Sequence, residues 1–168
     1  VVRPLLESLL LEGKHDLETV CRLREVAAHF PAEKDAAAVT AAARLVQRDK
    51  PANGLPILIE FVPYATNEFV RQEVQRALNV LAKADKAPAP LLLEAIKDPS
   101  PSRRAAAAEA LLRSEGLAAK DKIAQLLKDE NVLVRYQLGM ALIELHDKTG
   151  VPILIKSLQD VPSDRAEF

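Results

Sequence analysis

The stretch Pro56-Ile57-Leu58-Ile59-Glu60 decides the fold of this 168-residue chain, because close variants of it return three times. The variants begin at Pro90, Asp121 and Pro152, so the spacing between them is nearly constant. A constant period of about 20 to 50 residues is typical of solenoid proteins, in which one unit cannot bury its apolar face alone. The spacing therefore predicts stacked pairs of helices, with each phrase in the first helix of a pair.

A second phrase marks the other helix of each pair. The dipeptides Val70-Arg71, Arg103-Arg104 and Val134-Arg135 follow one another at nearly the same spacing, and small or apolar residues trail each of them at helical intervals. Four residues before each aligned arginine stands a side chain that favours a helix start. These N-cap candidates are Asn67, Ser100 and Asn131. Pro101 follows at the first helical position, where its missing N–H costs nothing.

The combination of these two phrases resembles the HEAT repeat, and its step of about 31 residues is similar to the short bacterial form of that repeat. Residues 54–160 carry the resemblance. It implies an all-α fold, a right-handed α-solenoid of stacked antiparallel helix pairs. It also implies a structural ladder that ties neighbouring repeats by charge-assisted hydrogen bonds. The predicted ladder residues are Asp98, Arg104, Asp129 and Arg135. Ala65 stands where the first clear repeat would carry its aspartate, which predicts that the ladder is incomplete at the N-terminal end.

The repeat register also predicts the domain organisation. Residues 1–50 are expected to form an N-terminal helical cap or a degenerate repeat, in which Thr40 replaces the aligned arginine. Residues 51–168 are expected to hold the HEAT-like repeats, at about 54–84, 87–115, 117–146 and a truncated 150–168. Because few residues follow the helix-start candidate Ser163, the chain is expected to be a fragment of a larger protein.

The residue types that usually perform chemistry form no recognisable pattern here. Cys21 has no partner cysteine, and His15, His29 and His146 lack metal-ligand spacing. The five glycines form no phosphate-binding cluster, and no apolar run has the length of a membrane span. The sequence therefore predicts no catalytic residue, no metal site and no cofactor, and it leaves the localisation unknown.

Charge and aromatic content bear on two alternatives that the resemblance leaves open. Some HEAT-like proteins are DNA-repair glycosylases or bind nucleic acid, and others resemble bilin lyases. This chain has 23 basic and 24 acidic residues, a net charge of −1, and no tryptophan. Phosphate binding usually needs clustered positive charge, which disfavours the nucleic-acid alternative. No residue pattern singles out a chromophore site, and Cys21 alone does not make one, which disfavours the bilin-lyase alternative. The candidate basic strip consists of Arg71, Arg76, Arg103, Arg104 and Arg113.

The remaining interpretation, by analogy with other solenoids, is a protein-interaction scaffold without catalytic activity. Its partner is expected to be another protein or another domain of the parent chain. The expected binding face lies on the second helices, at Gln72, Arg76, Asn79, Glu109, Leu112, Tyr136, Met140 and Ile143. Two readings of Tyr136, Met140 and Ile143 stay open at this point: an apolar interface, or packing against a following repeat.

Overall fold

The fold is all-helical in a computed structural model that describes residues 32–84 and 89–160. Within those two ranges the elements are α-helices and short 3-10 turns, without a strand. The expected helices before residue 32, with Cys21, His15 and His29, lie outside the described residues, as does Ser163. The chain divides into two compact units between Ala84 and Asp85, and each unit is described by itself.

The described part of the first unit contains three α-helices. They are α1 (Ala32–Asp49), α2 (Gly54–Phe61) and α3 (Glu68–Ala84), with a 3-10 turn at Val62–Tyr64 between the last two. Both α1 and α2 pack on α3. Asn67 begins α3 as predicted, because its side-chain oxygen accepts hydrogen bonds from the backbone N–H groups of Phe69 (2.8 Å) and Val70 (3.3 Å). The buried core is aliphatic and includes Val39, Leu55, Leu58, Val74, Ala77, Leu78 and Leu81.

The described part of the second unit contains four α-helices. They are α4 (Ala89–Ala95), α5 (Pro101–Glu115), α6 (Val132–Glu144) and α7 (Gly150–Gln159). Helix α5 packs on α4 and on α6, and α6 packs on α7. Among the side chains with almost no exposure are Leu92, Leu111, Leu112, Ile123, Val134, Leu138 and Leu142.

Two helix starts in this unit differ in detail. The side chain of Asn131 accepts from the backbone N–H of Leu133 (2.9 Å), as an N-cap should. The hydroxyl of Ser100 instead meets the hydroxyl of Ser102 (2.9 Å), although α5 still begins at Pro101. The predicted cap hydrogen bond of Ser100 is therefore wrong.

Residues 117–128, where a first helix was expected, wind more tightly than an α-helix. Two 3-10 turns, Gly116–Ala119 and Leu126–Lys128, flank a run of turns. Most of the hydrogen bonds span three residues, for example from Lys120 N–H to Leu117 C=O (3.1 Å). A helix of this length is marginal by itself, so tertiary contacts decide its form.

Helices α6 and α7 approach each other closely at a glycine on each helix. A Cβ added at Gly150 would lie 2.5 Å from the carbonyl oxygen of Gly139. A Cβ at Gly139 would lie 2.8 Å from a methyl carbon of Leu154. The close contact places α7 directly against the C-terminal half of α6, the helix that carries part of the predicted binding face.

Candidate functional site

Arg104 joins helix α5 to the turn that precedes α6. Its Nε donates to Oδ2 of Asp129 and its Nη2 to Oδ1, both at 2.9 Å. Its Nη1 donates to the backbone carbonyls of Asp98 (3.0 Å) and Pro99 (2.9 Å) in the turn before its own helix. One guanidinium thus binds two successive turns of the array.

Arg135 makes related contacts one step later, with one hydrogen bond to a carboxylate where Arg104 makes two. Its Nη1 donates to the carbonyls of Asp129 (2.6 Å) and Glu130 (3.1 Å), and its Nη2 donates to Oδ2 of Asp160 (2.5 Å). Asp160 was missed by the sequence analysis. The signal was present, because the step from Asp98 to Asp129 equals the step from Asp129 to Asp160. This interval is called here the repeat step.

Asp98 uses its carboxylate differently from the other two aspartates. It accepts from the backbone N–H of Ser100 (2.7 Å) and from Nη1 of Arg103 (3.2 Å), both within its own repeat. In the first unit, Arg71 occupies the aligned arginine position and pairs with Glu68 on the same helix. The inter-repeat pairs therefore begin at Arg104, which binds Asp129, and continue with Arg135, which binds Asp160. Asp98 contacts Arg104 through its backbone carbonyl and not through its carboxylate.

The electrostatics of Asp129 follow from these contacts. Burial by itself would raise the pKa of the Asp129 carboxyl, but the hydrogen bonds from Arg104 and from the backbone of Asn131 outweigh burial and lower it. The same pair raises the pKa of Arg104, chiefly through its hydrogen bond to Asp129. Both groups therefore stay charged at neutral pH, which suits a structural ion pair and not a general acid.

A second inter-repeat tie was not predicted from the sequence. The ammonium of Lys120 donates to Oδ2 of Asp147 (2.6 Å) and to the hydroxyl of Thr149 (2.9 Å). The hydrogen bond from Lys120, followed by those from the backbone N–H and the hydroxyl of Thr149, lowers the pKa of Asp147 to about 2. The contacts of Lys120 link the irregular segment 117–128 to the turn before α7.

The outer side of α6 carries a row of large apolar side chains, called here the α6 stripe. It consists of Leu133, Tyr136, Met140 and Ile143, whose exposed fractions are 64%, 46%, 38% and 36%. Spacings of three and four residues place all four on one face of the helix. Leu133 was not among the predicted face residues, although it stands three residues before Tyr136 at the same spacing.

The structure places the other predicted face residues in varied environments. Leu112 is wholly buried, so its expected exposure is wrong, because the neighbouring elements of the second unit enclose it. Glu109 is half-buried and accepts from Nε2 of Gln137 on α6 (2.9 Å). Asn79 is half-buried and accepts from Nε2 of Gln75 (2.9 Å).

Gln72 and Arg76 are exposed on α3 in the first unit, and both are engaged by carboxylates. Gln72 donates to Glu68 (3.0 Å), and Arg76 donates to Glu73 (2.6 Å). Glu73 is buried and also accepts from Nε of Arg44 (3.0 Å). The hydrogen bond from Arg44 is the main cause that lowers the pKa of Glu73, against the opposing effect of burial.

The five arginines of the candidate basic strip all carry acidic partners. The pairs are Arg71–Glu68, Arg76–Glu73, Arg103–Asp98, Arg104–Asp129 and Arg113–Glu144. Paired guanidinium groups offer little net positive charge to a phosphate backbone. Each of these arginines therefore forms an ion pair within the protein.

Two other features, a metal centre and a membrane-spanning helix, are absent from the described ranges. Among residues 32–84 and 89–160, no group of three or more His, Cys, Asp or Glu side chains is arranged to hold a metal ion. In the same part of the chain, no helix combines the length and the hydropathy needed to cross a membrane.

Comparison with known proteins gives one match. The family model of HEAT repeats matches residues 89–167, which include the second unit with its arginine–aspartate pairs and the α6 stripe. No curated protein and no solved structure gave a significant match. HEAT repeats form α-solenoids, generally act as non-catalytic scaffolds and typically mediate protein interactions. Residues 89–167 of this chain therefore match the HEAT-repeat family.

Proposed function

We propose that this chain is a non-catalytic scaffold that binds another protein, or another domain of its parent chain, through the α6 stripe. The observation that carries the proposal is the row of four large apolar side chains exposed along one helix. Apolar patches of this kind are uncommon on monomers and often mark interaction sites. Tyr and Met are also enriched at protein interfaces, because each buries a large and adaptable area.

The stripe is not needed to fill the core of its own unit. That role belongs to the opposite face of α6, where Val134, Leu138 and Leu142 are fully buried. Exposed apolar side chains contribute little to the stability of the free protein, whereas their burial by a partner is favourable by roughly 25 cal/mol per Å². The energetic use of the stripe therefore lies in association.

Polar groups border the stripe on the side of α5. Glu109 is bonded to Gln137, and Arg113 pairs with Glu144 across the two helices. An apolar centre with a polar border is the usual anatomy of a protein interface.

Replacement of two stripe residues tests the proposal. The double variant Tyr136→Arg/Met140→Arg should keep the helical circular dichroism and melting temperature of the unmodified protein, since exposed substitutions usually change stability by less than about 0.5 kcal/mol. A partner captured by the immobilised protein from an extract of its source cells should no longer bind the variant.

A matched control is available on α7. The variant Val151→Arg/Ile155→Arg makes the same chemical change at two other exposed apolar positions and should retain the partner. Capture that survives in the stripe variant, or that is lost equally in the control, would contradict the proposed binding face. Unfolding of the stripe variant would show instead that these side chains belong to the core.

A further inference from the structure

We infer that the partner element bound by the α6 stripe is an amphipathic α-helix that lies alongside α6 as α6 lies alongside α5. This inference rests on the proposed function and names the kind of partner. It follows from a comparison of equivalent positions in two successive repeats, one of which has a helix on its outer face.

The equivalent positions have opposite exposure. Ala105 and Leu112 on α5 stand one repeat step before Tyr136 and Ile143 on α6. Ala105 is 2% exposed and Leu112 is 0% exposed. Between them, Glu109 accepts a hydrogen bond from Gln137 of α6. Helix α6 therefore lies along this side of α5, and the same side of α6 is the one that remains exposed.

Ile155, the apolar α7 residue replaced in the control variants, does not pass the same comparison. Ile155 is exposed on α7, and the residue one repeat step earlier, Ala124, is exposed as well. This position therefore faces outward even in the preceding repeat, which α7 follows. The comparison selects the α6 stripe as a face for a helix and assigns Ile155 to the outer surface.

The corner at which the bound helix would start presents a carboxylate. In the step from α5 to α6, Asp129 is held by Arg104 and accepts the backbone N–H of Asn131 at the start of α6 (2.8 Å). In the next step, Asp160 accepts one hydrogen bond, from Nη2 of Arg135, and is 43% exposed. A carboxylate at this corner favours a helix N-terminus, whose free N–H groups carry partial positive charge.

Two differences between the repeats specify the chemistry of the bound helix. Met140 replaces Glu109, so the residue opposite it should be apolar where α6 presents Gln137. Glu144 occupies the position that Arg113 has in the preceding repeat. Because Arg113 pairs with Glu144 of the next helix, the residue of the bound helix that faces Glu144 should be basic. The ligand is thus a helix with an aliphatic stripe and a basic residue near its C-terminal end.

Two fluorescent peptides test this specificity against the full chain. The first has the sequence of residues 129–147, with capped ends, and the second carries Gln137→Leu and Glu144→Lys. In a fluorescence anisotropy titration the second peptide should bind at least about tenfold more tightly, because it adds an apolar contact and removes a repulsion between carboxylates.

Variants of the protein then test where the peptide binds. Tyr136→Arg should weaken binding of the second peptide by about tenfold or more, and Ile155→Arg should leave it unchanged. Met140→Glu gives α6 the acidic residue that the preceding repeat has at this position. The variant should bind the second peptide more weakly and the first peptide, which retains Gln137, more tightly.

Equal affinity for the two peptides, or binding that ignores Tyr136→Arg, would overturn the inference. So would self-association of the protein in sedimentation experiments that Tyr136→Arg abolishes, since the occupant would then be a second copy. If neither peptide binds while partner capture still depends on Tyr136 and Met140, the helix inference fails and the proposed scaffold function stands. If neither peptide binds and partner capture does not depend on Tyr136 and Met140, both the helix inference and the proposed function fail.

Discussion

The guanidinium of Arg104 binds the carboxylate of Asp129 through two hydrogen bonds of 2.9 Å, and little of either side chain is exposed. Two-point arginine–carboxylate pairs are among the stronger hydrogen-bonded contacts in proteins. The same carboxylate accepts the backbone N–H of Asn131, so it also determines where α6 begins. The pair therefore couples the α5 helix to the start of the helix that carries the proposed binding face.

Removal of an arginine from these pairs should destabilise the protein. Arg104→Ala and Arg135→Ala should each lower the free energy of unfolding by about 1–3 kcal/mol, because a buried or partly buried carboxylate and two carbonyls lose their donor. Chemical denaturation followed by circular dichroism measures this change. Arg71→Ala is the matched control, since Arg71 is exposed and pairs within its own helix; its cost should stay below about 0.5 kcal/mol. A loss of partner binding without loss of stability in Arg135→Ala would contradict the structural role.

Acid should destabilise the protein, with Asp147 as one identifiable cause. Its pKa is lowered to about 2 from an ordinary value of 3.8, so between these values the unfolded state binds more protons than the folded state. Its contribution to stability is complete above the unfolded pKa and is lost as the pH falls through the folded pKa. Asp129 and Glu73, whose pKa values are also lowered, act in the same direction.

Melting curves between pH 5 and pH 2 measure this dependence. Asp147→Asn should show a shallower fall of melting temperature with acid than the unmodified protein, because the substituted side chain does not titrate. Asp121→Asn alters an exposed aspartate in the same unit and should retain the original slope. Identical slopes for Asp147→Asn and the unmodified protein would reject the assignment.

The contact between α6 and α7 should tolerate a methyl group at one glycine better than at the other. Gly150→Ala should lower stability by about 1–3 kcal/mol, because the new Cβ would meet the backbone carbonyl of Gly139. Gly139→Ala should cost less, since the obstructing Leu154 side chain can shift and alanine favours a helix interior by about 1 kcal/mol. Denaturation of the two variants side by side gives the comparison; a greater loss in Gly139→Ala would show that the helices are positioned differently.

His146, just after the end of α6, has a backbone conformation that glycine adopts at lower cost. His146 has a φ of 61°, in the left-handed region, while its N–H bonds to Ile143 C=O (2.8 Å). His146→Gly should raise stability by about 0.5–1 kcal/mol, the left-handed cost of an ordinary residue less the unfolded-chain entropy that glycine adds. His146→Ala retains the unfavourable backbone conformation and should bring no gain. If alanine stabilises as much as glycine, the side chain and not the backbone is the source.

The sequence predicted the elements that depend on local and periodic signals. Asn67 and Asn131 stand at their helix starts with the expected hydrogen bonds, and Pro101 is the first residue of α5. Their effect is local, because a side chain or ring acts on the first turn that follows it. The regular return of the two phrases likewise indicated the helix pairs, since the apolar face of each helix recurs with it.

Tertiary structure alone decided which positions are covered and which groups are paired. Leu112 and Ile143 occupy the same place in successive repeats, yet the first is buried and the second is exposed. The burial of a helix face depends on a neighbouring element and not on the pattern of the helix itself. The tie from Lys120 to Asp147 joins residues that are 27 apart in the sequence, so it also depends on how the elements pack. The tight winding of residues 117–128 depends on neighbouring elements as well. Periodicity shows that a face needs a neighbour, and only the packed chain shows where that neighbour lies.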